Sequence, residues 1–201
     1  MFIDVTAERA AAGATAEYFA GQRHAWGFLP NYAQCFATRP EVAIAWSDLA
    51  ATVRASMDRR RFELVTLAAA LGRRSTYCAV AHATMLIDLC KDEATVQAVA
   101  SDPTGGGLPE PDRSILAFAS KVARAASEVE QDDIDSLRGQ GLTDAEIADI
   151  AHAVGLRAFF TAVLDALGAR LDAATAAALD PEILAALTVG REPDQPARAA
   201  R

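Results

Sequence analysis

The sequence predicts an all-α fold: one domain of about seven to nine helices. Three observations carry that expectation. Hydrophobic residues make up 52% of the 201 positions, and alanine supplies much of that share while valine, isoleucine and the aromatics are sparse. Such a balance favours closely packed helices over sheets. Capping and stop signals recur at helical intervals, and no run of alternating β-branched residues reads as a strand.

The elements follow in order. Residues 6–22 read as a helix with Thr6 as N-cap and Glu8 and Glu17 on its polar side. Residues 25–31 (AWGFLPN) form an aromatic turn broken by Gly27 and Pro30. Thr38-Arg39-Pro40-Glu41 reads as a capping box with proline at N1, opening a helix to about residue 56. Asp58 caps the next helix, which Gly72 stops. Ser75 caps a third, reaching about Lys91, and a short helix spans 92–100. Residues 101–111, rich in Gly and Pro, are a flexible connector inside the domain. Helix resumes over 112–128. Thr143-Asp144-Ala145-Glu146 is a second capping box, starting a long apolar helix that ends near Gly168. Asp180-Pro181-Glu182 opens the last helix, and the polar tail from Arg191 is frayed. The single domain 1–201 thus divides into N-terminal helices with the aromatic turn (1–57), a core (58–100), C-terminal helices (112–190) and a tail (191–201).

Composition excludes several function classes. A net charge of −8 argues against nucleic acid as a partner, because phosphate neutralisation needs surplus Lys and Arg. Arg59, Arg60 and Arg61, with Arg73 and Arg74, are the only basic clusters and read as a solvated or subunit-contacting face. Three cysteines without paired spacing are expected to be free thiols in a reducing compartment. The N-terminus carries Asp4 and Glu8 and does not read as a signal peptide. No uninterrupted apolar run approaches the ~20 residues of a membrane span. A cytoplasmic location without membrane contact is the expectation. Three dispersed histidines give no metal site, Gly105-Gly106-Gly107 follows no strand and is no phosphate loop, and no cofactor is expected.

Proton and thiol chemistry concentrates in residues 63–82, ELVTLAAALGRRSTYCAVAH. With Ser75 as N-cap, Cys78 falls at N3, where free N–H groups and the helix dipole favour a thiolate; alternatively it is a small buried hydrophobe. His82, four residues on, shares the face of Cys78 and can take its proton, or it is a satisfied core histidine. Glu63 lies in a helix apolar nearly all round. Its buried carboxylate needs a partner, either His82 or one of Arg59, Arg60 and Arg73. Tyr77 either donates a hydrogen bond into the same pocket or packs in the core. Trp26, Phe28, Phe159 and Phe160 are candidates to line that pocket. Cys35 reads as core, His24 as exposed surface, and His152, within the apolar stretch 147–154, as a core or interface residue.

Glu63, eleven residues, Ser75-Thr76-Tyr77-Cys78, three residues and His82 resemble the Glu-x11-Cys-x2-Cys-x3-His motif of the carboxymuconolactone decarboxylase / alkylhydroperoxidase D-like (AhpD-like) superfamily. Gly27-Phe28-Leu29-Pro30-Asn31, Arg39-Pro40-Glu41-Val42 and Asp165-Ala166-Leu167-Gly168 are similar to its peroxidase-related members, so the likeness spans most of the chain. The resemblance implies an AhpD-like helical fold, a homo-oligomer (dimer, trimer or hexamer) and reduction of hydroperoxides by a cysteine pair with a Glu/His proton relay. Serine at position 75 replaces the first motif cysteine, and Tyr77 replaces a histidine of the best-known peroxidases. Cys90, twelve residues along the same helix and ~18 Å away, is out of disulfide reach of Cys78.

Three functions follow. In the first, Cys78 reduces a small hydroperoxide with Glu63 and His82 as relay, Ser75 hydrogen-bonding the thiolate, and an external thiol as reductant. In the second, Glu63 and His82 act as an acid–base lyase or isomerase on a small organic acid. In the third, the chain is a non-catalytic oligomer or ligand binder.

Overall fold

In the computed structural model, which describes residues 1–5 and 7–195, no strand forms and nine helices have seven residues or more. The helices are α1 (Gly13–Trp26), α2 (Pro40–Ala55), α3 (Arg59–Gly72), α4 (Thr76–Cys90), α5 (Glu93–Ser101), α6 (Glu110–Ala125), α7 (Gln131–Gly139), α8 (Asp144–Leu167), α9 (Ala173–Ala177) and α10 (Pro181–Leu187), with short 3-10 turns at Glu8–Ala10, Asn31–Phe36 and Ala126–Glu128.

The core is organised around α3. Every residue from Phe62 to Ala70 is buried, because three alanines in succession let α4, α6 and α8 approach from different sides. A β-carbon on Gly72 would sit 3.1 Å from Ala123 Cβ and 3.2 Å from the Ser120 carbonyl of α6. Helix α3 ends at Gly72, as the sequence predicts, but Gly72 is not itself left-handed and serves the close approach of α6. Arg74 takes the left-handed conformation (φ 57°) instead. The Ser75 amide then donates to the Ala70 carbonyl at 2.9 Å, a closing bond of Schellman type. This tight reversal points the N-terminus of α4 back at the core.

Several capping expectations hold. Asp58 accepts from the Arg61 amide, Thr143 and Glu146 form the full capping box of α8, and Asp180 caps α10. Gly168 ends α8 with φ 78°. Others do not. Thr6 lies outside the described residues, and the first α-helix begins only at Gly13 and runs through Trp26. Arg39, not Thr38, is the N-cap of α2 and makes no side-chain cap. Residues 131–139 are helical although no helix was expected there, as is the five-residue α9. Arg59, Arg60 and Arg61 are not a free basic face. Arg60 binds Asp92 at 2.5 Å and Asp112 at 2.6 Å, Arg61 binds Glu146 at 2.7 Å, and Arg59 turns to Glu63.

Helix α8 is the long apolar helix that the sequence predicts, ending at Gly168. Over 24 residues it is long and apolar enough to cross a membrane, with mean hydropathy 1.5 in its most apolar window. Half of that window is buried, against α2, α3 and α6. Its apolar composition fits a helix packed on three neighbours in this bundle.

Candidate active site

Glu63 projects from the second turn of α3, and α4 carries Cys78 and His82 one turn apart, so the structure brings all three together. His82 Nδ1 lies 2.5 Å from Glu63 Oε2, and Arg59 Nε lies 2.5 Å from Oε1. The carboxylate, with no exposed surface, is thus held from both sides. Burial alone would push Glu63 up, but the hydrogen bond from His82 together with the charge and hydrogen bond of Arg59 outweigh it and keep the carboxyl below its ordinary range. His82 is pulled down to about 4, chiefly by burial and then by the nearby guanidinium of Arg157, against the opposing pull of Glu63. Neutral His82 therefore donates its Nδ1 proton to Glu63, and the Nε2 lone pair is left as the base.

Arg157, on α8, was not a sequence candidate. It is 5% exposed and, among the described residues, makes a single hydrogen bond, from Nη1 to Cys78 Sγ at 3.7 Å. Its Nε has no partner among the described residues. The guanidinium lies over the rings of Trp46 and Phe160, at 5.6 and 5.4 Å from their centroids. Stacking of this kind contributes about 2 kcal/mol when desolvated, which offsets only part of the cost of burying an unpaired charge.

Cys78 is buried at 2% exposure. Burial pushes its thiol up; Arg157 opposes this by charge and hydrogen bond. The lowered thiol pKa expected from the N3 position is therefore reversed, since desolvation of the anion exceeds what a helix terminus supplies. Ser75 is fully buried and its hydroxyl reaches hydrogen-bonding geometry with no described group. At longer range it still favours the charged forms of Cys78 and Asp165. No hydrogen bond joins His82 to Cys78 among the described residues.

Tyr77 is separate from this relay. Its hydroxyl donates to Asp172 Oδ2 and accepts from the Tyr32 amide at 3.3 Å. Asp172 Oδ1 in turn accepts from the Asn31 amide at 2.9 Å. Tyr77 thus anchors the aromatic turn over the site instead of delivering a proton.

Cys78, His82 and Arg157 open into a cleft of about 460 Å³ walled by Trp26, Phe28, Tyr32, Trp46 and Phe160. Trp46 is fixed by an Nε1 bond to the Leu156 carbonyl at 3.2 Å, and Trp26 by one to Tyr32 at 3.0 Å. Phe159 faces away, 43% exposed, because it follows Arg157 by two positions and so falls on the opposite side of α8. Cys35 is buried in the Asn31–Phe36 turn, and Cys78 and Cys90 are likewise free thiols. His24 is exposed, as expected; His152 is exposed too, not a core residue.

No protein-family model and no curated protein matches the chain. Solved structures do. An uncharacterized peroxidase-related protein from Ralstonia eutropha JMP134, described as an alkylhydroperoxidase AhpD core, matches at TM-score 0.74 and 23% identity over 94% of this chain and 97% of its own. A peroxidase-related protein from Silicibacter sp. TM1040 matches at TM-score 0.72 and 23% identity over 84% and 90%. The debrominase Bmp8, as a cysteine-to-alanine variant in complex with 2,3,4-tribromopyrrole, matches at TM-score 0.72 and 19% identity over 89% and 96%. The chain has the AhpD-like fold.

Proposed function

We propose that this chain is a one-cysteine thiol peroxidase that reduces a small hydroperoxide at Cys78. The observation that supports it is the setting of Cys78 Sγ, beside a buried guanidinium with no other acceptor among the described residues and in one cleft with His82, whose Nδ1 the buried Glu63 holds. Peroxide cleavage needs a thiolate to attack and a proton for the departing oxygen. His82 Nε2 takes the Cys78 proton through one water, and Arg157 holds the resulting anion. The thiolate attacks one peroxide oxygen; the S–O bond forms as the O–O bond breaks. The departing alkoxide recovers the proton from His82 and leaves as an alcohol, and Cys78 is left as a sulfenic acid. An external thiol then attacks the sulfenic sulfur, releasing water and forming a mixed disulfide. A second external thiol frees Cys78. Serine at position 75 cannot perform that resolving step.

The assay is peroxide consumption in excess small thiol. Cys78→Ser should abolish turnover, and His82→Gln should lower it about 10²–10⁴-fold. Full turnover by Cys78→Ser would overturn the proposal.

The aromatic lining and the likeness to a debrominase support a second reading. There Cys78 mediates removal of halogen from a small aromatic ring, an aryl halide and two thiols giving the arene, a disulfide and hydrogen halide. Halide release by the wild type but not by Cys78→Ser would favour it. For either reaction we propose a homo-oligomer, readable by light scattering.

A further inference from the structure

Among the described residues, Arg157 is a buried guanidinium whose Nε has no partner. A buried guanidinium ordinarily has a carboxylate or several carbonyls around it; here the only acceptor among the described residues is a sulfur at 3.7 Å. Three nearby carboxylates are already committed. Glu63 is held between Arg59 and His82, and Asp172 accepts from Tyr77 and from the Asn31 amide. Asp165 lies among Ser75, Arg191 and Arg73. Arg157 nevertheless lines the cleft, so its free donors are available to whatever occupies it. The rest of the wall is mainly apolar and aromatic, with Arg54, Arg59, Asp88 and Asp172 as its other charged side chains, and about 460 Å³ suits a single-ring or short-chain molecule.

From this we infer that Arg157 is an anchor for an anionic substrate group: the cleft selects a small carboxylic acid with an apolar or aromatic body, its carboxylate on the guanidinium and its body against Trp46 and Phe160. The inference rests on the reading of this cleft as the active site. It specifies the substrate class that the thiol chemistry serves, a hydroperoxide or aryl compound bearing a carboxylate. Inorganic anions share the charge but not the body, and neutral analogues share the body but not the charge. Each defines one arm of the test.

Both tryptophans of the chain line the cleft, so intrinsic fluorescence reports its occupancy directly. Full-length protein is titrated with benzoate, phenylacetate and hexanoate, each beside its primary amide, and with inorganic phosphate. At least one acid should bind about tenfold or more tighter than its amide, the difference a charge-assisted contact makes, and tighter than phosphate. Arg157→Met should erase the preference for acid over amide, and Arg157→Lys should keep part of it. Equal affinity for acid and amide, phosphate binding as tightly as the acids, or no response to any of the acids would each overturn the inference. So would an unchanged preference in Arg157→Met. The comparison of acid with amide on the wild type stands even if that variant misfolds. Because the same titration on Cys78→Ser needs no redox step, loss of peroxide turnover and loss of acid binding are read separately.

Discussion

Acidification should unfold this protein through His82. In the folded state its imidazole is held down at about 4, whereas in the unfolded chain it titrates near 6.5. The unfolded state therefore binds a proton first as pH falls. Stability is unaffected above about pH 7.5 and declines as pH drops below the unfolded value. The gap of 2.5 units between those values corresponds to about 3 kcal/mol in full, of which about 2 kcal/mol is lost by about pH 5. Glu63, held below its ordinary range, is still ionised there, so the window down to about pH 5 isolates the histidine. The assay is urea unfolding between about pH 8 and about pH 5 for wild type and His82→Gln. Other titrating groups cancel when the stability change over this pH window is compared between the two proteins, and the difference should be about 2 kcal/mol. Parallel stability profiles for the two proteins would refute the claim that His82 is buried neutral against Glu63.

Four further outcomes are expected. The alkylation rate of Cys78 should keep rising with pH through and beyond neutrality, because burial raises the thiol; a plateau near pH 7 would contradict that. Arg157→Met should melt no lower than wild type, since it removes a buried charge without a carboxylate partner, while slowing Cys78 alkylation; a large drop in Tm would show that the guanidinium is structurally paired. Gly72→Ala should cost about 1–3 kcal/mol by urea unfolding, the new methyl meeting Ala123 and the Ser120 carbonyl; a neutral result would mean that α3 and α6 separate freely. Thr143→Ala should cost about 1 kcal/mol through loss of the α8 capping box, again read by urea unfolding.

Residues 63–82 were legible because their information is local. Cys78 and His82 share a face at i and i+4, Ser75 begins the helix, and an isolated Glu in an apolar helix must find a partner. The structure supplies both candidate partners at once, His82 and Arg59. What stayed hidden depends on contacts between distant segments. Arg157 is 79 residues from Cys78, and an arginine amid AVGLRAFF reads as a surface residue until α8 is seen packed on α2 and α3. The available signal was its isolation in a long apolar helix whose carboxylates lie at the two ends. The direction of the Cys78 shift was hidden for the same reason, since the helix position is local and the desolvation is not. Helix α7 went unread because its N-cap is Glu130 rather than Ser, Thr, Asp or Asn. The Glu130 amide donates to Asp133 Oδ2 at 2.8 Å, a capping pattern written in unusual residues.

The central claim is that Cys78 is the atom a peroxide oxidises. Its most direct measurement is a single exposure of reduced protein to one equivalent of hydroperoxide with a sulfenic-acid trap present, followed by peptide mass spectrometry. The trap should be found on the peptide containing Cys78, with Cys35 and Cys90 unmodified and the label lost in Cys78→Ser. Trap on Cys35 or Cys90 alone, or an intact Cys78 while peroxide is consumed, would contradict the account.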